Sequence, residues 1–143
     1  GNATVRNVEL LGALGIDDAA FERYAEAQRA EVRSREQRLR GDRPAVPVAG
    51  RTAVVVDDGI ATGSTMQAAL ASLRQRDPAR VVVAVPVAPP SACADLEALA
   101  DEVVCLSTPA TFRAVGQWYD DFRQVDDEEV RSLLAREREA GRR

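Results

Sequence analysis

Asp57 and Asp58 stand side by side in the stretch VVVDDGIATGST, which runs from Val54 to Thr65. Carboxylates accept hydrogen bonds and cannot donate them, so a pair of them suits the hydroxyls of a sugar or a hydrated cation. The loop that follows is rich in donors. Thr62, Ser64 and Thr65 carry hydroxyls, and Gly63 lets a ligand approach the main chain closely. The helix expected after the loop begins with N–H groups that have no partner inside it. Those donors and the helix dipole favour an anion, most naturally a phosphate. A phosphate pocket beside two hydroxyl acceptors describes a ribose 5-phosphate site. The same residues also have plainer uses. Asp-Gly and Thr-Gly are common turn pairs, and a Ser or Thr before a helix is often only its cap. Paired acids at a strand end also occur in phosphoacceptor and metal sites. A nucleotide P-loop is excluded by the glycine spacing and by the absence of lysine.

Composition narrows the chemistry further. All 19 basic residues are arginine and there is no histidine, so histidine catalysis and histidine metal ligation are excluded within this chain. The net charge of −4 gives no electrostatic case for nucleic acid or an anionic membrane as partner. A length of 143 residues with 45% hydrophobic content suits one compact core rather than disorder. Cys93 and Cys105 lie in apolar or helical contexts without ligand-like spacing, and are read as reduced thiols of a cytoplasmic protein. No apolar run reaches membrane-spanning length, and no signal-peptide pattern is present.

The elements that must position the acids and the loop follow from residue patterning. Residues 3–9 read as a short edge strand. Asp17 or Asp18 caps a helix that runs to about Arg40 and stops at Gly41. Its Glu and Arg spacing allows opposite-charge pairs on a solvated face. Residues 41–50 hold two prolines and two glycines and read as a connector. From Arg51 the pattern changes. TAVVVDD is expected as a strand buried on both faces, 64–75 as a helix ended by Asp77-Pro78, and ARVVVAVPV as a second buried strand. SACADLEALA follows as a helix capped by Ser91, then EVVCLST as a third strand. This alternation predicts an α/β fold: an open, mostly parallel sheet with flanking helices and right-handed crossovers. The expected division is a helical and connector segment over 1–50, an α/β core over 51–125, and a C-terminal helix (VRSLLARE) with a charged tail over 126–143.

The stretch VVVDDGIATGSTMQAAL closely resembles the phosphoribosyl-pyrophosphate motif of the type I phosphoribosyltransferases. That motif is four apolar residues, two acids, two variable residues, then a small or acidic residue before Thr-Gly-x-Thr, and every diagnostic position is filled. RVVVAVPVAPP, DEVVCL and AVGQWYDDF are similar to bacterial members with no assigned substrate, so the resemblance runs over most of residues 1–133. It implies that Asp57 and Asp58 bind the ribose 2- and 3-hydroxyls. It implies that Ala61, Thr62, Gly63, Ser64 and Thr65 wrap the 5-phosphate. Magnesium would be held through pyrophosphate and ribose oxygens rather than directly by the protein.

The resemblance also implies a hood over the base after the third strand. Phe112 and Trp118 are its stacking candidates, and Asp120, by its place after Val-Gly, is the acid that helps hold pyrophosphate-bound metal through water. The plain alternative is that Trp118, Tyr119 and Phe122 pack at the edge of the core while Asp120 and Asp121 are solvated.

Two departures shape the functional expectation. In 6-oxopurine enzymes the residue before Thr-Gly is an acid near the base; here it is Ala61, as in the adenine and orotate types. Family members also carry an upstream part with an Arg-Gly-Gly-like pyrophosphate loop, which this sequence lacks. The expectation is therefore a domain, incomplete at its N-terminus, that binds phosphoribosyl pyrophosphate and transfers phosphoribose to a nitrogen nucleophile. The rivals are a regulatory module that binds phosphoribosyl pyrophosphate or a nucleotide 5-phosphate without turnover, and a structural half. The 143 residues alone are expected to be inactive, and either oligomeric or completed by an upstream segment.

Overall fold

The computed structural model describes residue 11 and residues 15–140. The strand expected at 3–9 lies outside the described residues. The chain divides into two compact units, one built on residues 47–122 and one on residues 8–46 with 123–143.

The first unit is the α/β core. Its strands are β1 (Thr52–Val56), β2 (Arg80–Val87) and β3 (Glu102–Ser107), in the order β1-β2-β3, and both pairings are parallel. The register sets Val54 beside Val82 and Val83 beside Val103. The crossover helices are α2 (Ser64–Arg74) and α3 (Pro90–Glu97). The sheet thus has the open parallel form that the alternation predicts.

Burial on both faces was expected of the first two strands, and the structure corrects this. The chain crosses the sheet twice in the same direction. Right-handed crossovers then place α2 and α3 on one face. On that face Val81, Val83, Val85 and Val87 of the central strand are sealed, the first three packed in one cluster with Leu70 of α2 and Leu96 of α3. On the other face Val54, Val56 and Leu106 remain 58%, 71% and 81% exposed. Among the described residues β1 is an edge strand, and it ends at Val56, so Asp57 and Asp58 follow the strand rather than finish it. Cys93 and Cys105 are both free thiols on the covered side, Cys93 in the core and Cys105 packed against it.

Helix ends follow local chemistry. The helix α2 gives way to a turn in which Asp77 takes the left-handed conformation (φ 52°) and accepts a 2.8 Å hydrogen bond from the Gly50 amide. The helix α3 starts one residue before the expected Ser91 cap. Its N-cap is Pro89, and Pro90 occupies the first helical position, where a missing N–H costs nothing. Ser91 therefore lies inside the first turn.

In the second unit, α1 (Asp18–Arg40) begins where the Asp17 carboxylate accepts from the Ala20 amide at 2.7 Å, and it stops at Gly41. Its exposed face carries the expected pairs, among them Arg33–Glu26 at 3.0 Å and Arg40–Glu36 at 2.9 Å. The final helix, α4 (Asp127–Ala140), starts earlier than the VRSLLARE segment because Asp126 caps it, accepting from the amides of Glu128 and Glu129 at 2.9 and 2.8 Å. Asp127 joins the two helices through Arg38 at 3.2 Å and Arg35 at 3.4 Å. No helix among the described residues is long and apolar enough to cross a membrane.

Candidate functional site

The site forms where β1 ends. The chain leaves Val56, turns through Asp57, Asp58 and Gly59, and is fastened to the central strand where the Ile60 amide donates to the Val87 carbonyl at 3.0 Å. Ile60 is buried and anchors the loop from below. The loop then rises to Gly63 and enters α2. A cavity of about 210 Å³ opens here, walled by Asp57, by residues 59–66 and by Val115.

Gly63 decides how the helix begins. It is the N-cap of α2, in the left-handed conformation (φ 77°), and no side chain caps the helix. The first recorded turn bond is Gln67 N–H to the Gly63 carbonyl at 2.9 Å. An α-helix leaves its leading amides without internal partners, and here those belong to Ser64, Thr65 and Met66, all three residues of the cavity wall. A capping role for the Ser and Thr residues is thereby set aside. Thr62 and Ser64 hydroxyls lie 3.4 Å apart, both solvent-exposed, as is Thr65. Amides and hydroxyls gathered at a helix start are the donor set that an anion would require.

The acids stand at the rim. The Asp58 amide donates to Asp57 Oδ1 at 3.0 Å. Among the described residues no arginine lies within ion-pair distance of either carboxylate. Two adjacent, exposed carboxylates without a cation are available to a ligand. Among the described residues no group of three acidic or cysteine side chains could enclose a metal. A magnesium ion here would have to draw most of its oxygen ligands from substrate and water, which the exposed acid pair permits.

The structure brings Asp57 and Ala61 to Thr65 into one cavity. It does not bring the hood candidates there. Asp58, Phe112, Trp118 and Asp120 lie outside the cavity wall. Phe112 is half-buried, Trp118 is 42% exposed and Asp120 is exposed. The 3₁₀ turn Val115–Trp118 contributes Val115 instead. A contact not foreseen in the sequence is Tyr119, whose hydroxyl donates to the Asp58 carbonyl at 2.5 Å.

The family model described as the phosphoribosyl transferase domain matches residues 9–123, which include the acids, the loop and the 3₁₀ turn. The chain belongs to that family. Relatives in two strains of Mycobacterium tuberculosis, each provisionally named a phosphoribosyl transferase, are 44% identical to it over 132 residues. The match covers 92% of this chain and 30% of those proteins, so this phosphoribosyl transferase domain spans under a third of their length. The crystal structure of TT1426 from Thermus thermophilus superposes with a TM-score of 0.74 at 50% identity, over 85% of this chain and 59% of that one. Fold and family therefore agree with the type I resemblance.

Proposed function

We propose that this domain binds phosphoribosyl pyrophosphate and, in its complete protein, transfers the phosphoribosyl group to a nitrogen nucleophile with release of pyrophosphate. The observation that carries the reading is the uncapped, left-handed start of α2 at Gly63, opening into the cavity that Asp57 borders. The amides and hydroxyls of Ala61 to Thr65 would hold the 5-phosphate, and Asp57 and Asp58 would accept from the ribose 2- and 3-hydroxyls. With both ends of the sugar fixed, C1 is held in place for in-line attack. The acids also place negative charge near the ring as positive charge develops at C1. Magnesium, bound through the substrate, would supply neutralisation of the departing pyrophosphate. No side-chain nucleophile is required.

The test is calorimetric titration of the chain with inorganic phosphate, ribose 5-phosphate and phosphoribosyl pyrophosphate plus magnesium. All three should bind, in rising order of affinity. Asp57→Asn with Asp58→Asn should weaken the two sugar ligands and leave inorganic phosphate unchanged. Each lost charge-assisted hydrogen bond is worth about 1.5–3 kcal/mol, so the double variant should lose on the order of 100-fold or more. Equal weakening of all three ligands would show that the acids do not address the ribose.

Ala61 favours a second reading, a module that binds the same ligand without turnover. Its methyl group offers no acid or base beside the loop. The 143-residue chain by itself is expected to release no pyrophosphate, so the two are separated by a release assay on a longer protein that carries this domain. Release with adenine, hypoxanthine, guanine, uracil or orotate supports transfer, and release with none supports binding alone.

A further inference from the structure

We infer that Tyr119 is a positioning residue for the acid pair: through the Asp58 carbonyl it fixes the turn that aims Asp57 and Asp58. This rests on the proposed role of those acids in binding ribose.

The turn between β1 and the phosphate loop is short and exposed, yet its main chain is tied at two points. Ile60 N–H donates to the Val87 carbonyl of the central strand at 3.0 Å. The Tyr119 hydroxyl donates to the Asp58 carbonyl at 2.5 Å, a bond between residues 61 positions apart. Between the two ties sits Gly59. A Cβ there would lie 2.6 Å from Val115 Cγ1 and 3.1 Å from Val87 Cγ1, so the segment 115–119 is pressed directly on the turn. Only a residue without a side chain admits that approach.

Tyr119 is itself held in place. Its ring lies 5.2 Å from that of Phe122, tilted by 39°. The Phe122 ring in turn fills the space over Gly116, where a Cβ would come within 2.7 Å of Cδ1. A phenol anchored by its ring and bonded by its hydroxyl makes a rigid strut. The carbonyl it holds belongs to the Asp58–Gly59 peptide. Fixing that peptide plane fixes the backbone torsion of Asp58, and the Asp58 amide in turn holds Asp57 Oδ1 at 3.0 Å. One hydroxyl therefore restrains the direction of both carboxylates while touching neither. The proposed phosphate cradle begins at Ala61, three residues after Asp58, and has its own anchor at Ile60, so it does not depend on this strut.

Tyr119→Phe keeps the ring stack and deletes the hydroxyl. In the 143-residue chain, ribose 5-phosphate should bind about 3- to 10-fold more weakly, the range of one net hydrogen bond. Inorganic phosphate should bind unchanged, and the Gly59 amide nitrogen should shift in the NMR spectrum. Loss of ring packing or general loosening would instead weaken both ligands together. If Asp57→Asn with Asp58→Asn shows selective loss of the sugar ligand and Tyr119→Phe does not, the inference is overturned and the ribose reading stands. If the double acid variant shows no selectivity, the ribose reading fails and the role of Tyr119 falls with it.

Discussion

The two ends of the sheet treat charge in opposite ways. At the amino ends of β2 and β3, charges are paired with one another. Arg74 meets Asp101 at 3.0 Å, Asp101 also accepts from the Val81 amide at 2.6 Å, and Arg80 meets Glu102 at 2.6 Å. Arg74 and the Val81 N–H hold the Asp101 carboxyl below its ordinary value. At the carboxyl end of β1, Asp57 and Asp58 repel one another without a cation among the described residues, and the start of α2 is uncapped. One end is finished by internal pairing, and the other keeps donors and acceptors open to a ligand. Substitutions at the two ends should therefore separate stability from binding.

The largest effect is expected at the unfinished end. Gly63→Val forces a β-branched residue into a left-handed turn, which costs about 1–2 kcal/mol on its own. If the loop escapes that strain by changing shape, the cradle is lost. Urea denaturation should show the destabilisation, and phosphate titration should show a loss of tenfold or more. Normal phosphate affinity in this variant would mean that the left-handed start of α2 is not part of the cradle.

At the finished end, Asp101→Asn should lower stability and spare ligand binding. The folded carboxyl titrates below its unfolded value, so its contribution is complete above the unfolded value and fades as pH falls through the folded one. Wild type and variant should differ most in unfolding midpoint near neutral pH and converge as pH falls below the lowered folded value of Asp101. Changed phosphate affinity in Asp101→Asn would break the separation of the two ends.

The smallest effect on the monomer is expected on the open face. Leu106→Ser removes an 81% exposed side chain and should alter monomer stability by less than about 0.5 kcal/mol. Parallel sheets are ordinarily covered on both faces, so the wild-type chain should self-associate in sedimentation. Leu106→Ser should shift it toward monomer, with phosphate binding unchanged. A wild-type chain that stays monomeric at high concentration would show that the open face is not sticky enough to matter.

What the sequence showed and what it hid have physical causes. The loop was legible because its residues are consecutive: Asp57 to Thr65 read as one stretch, and the chain needs only a strand before and a helix after to shape it. The termini of α1 were legible because Asp17 and Gly41 act locally. The coverage of β1 was not, because TAVVV is apolar at nearly every position and offers no alternation from which a face can be chosen. Crossover handedness decided it. Nor was Tyr119 legible: a phenol near Phe122 looks the same whether it packs at an edge or reaches back 61 residues to a carbonyl. The cap of α3 lies two residues earlier than expected, at Pro89 rather than Ser91, because Pro90, itself a good first helical residue, competes with the cap signal of Ser91.

Cys93 gives the covered face a clock. Burial, and after it the neighbouring Cys105 thiol, push its thiol up to about 11. At neutral pH only on the order of one such thiol in ten thousand carries the reactive thiolate. Helix α3 also shields it from reagents. In Cys105→Ser, which leaves one thiol in the chain, alkylation must wait for α3 to lift from the sheet. Its rate is then the opening equilibrium multiplied by the rate for an exposed thiol. A ligand that never touches α3 but steadies the covered layer as a whole would slow that clock, and one that acts only on the loop would leave it running at the same pace.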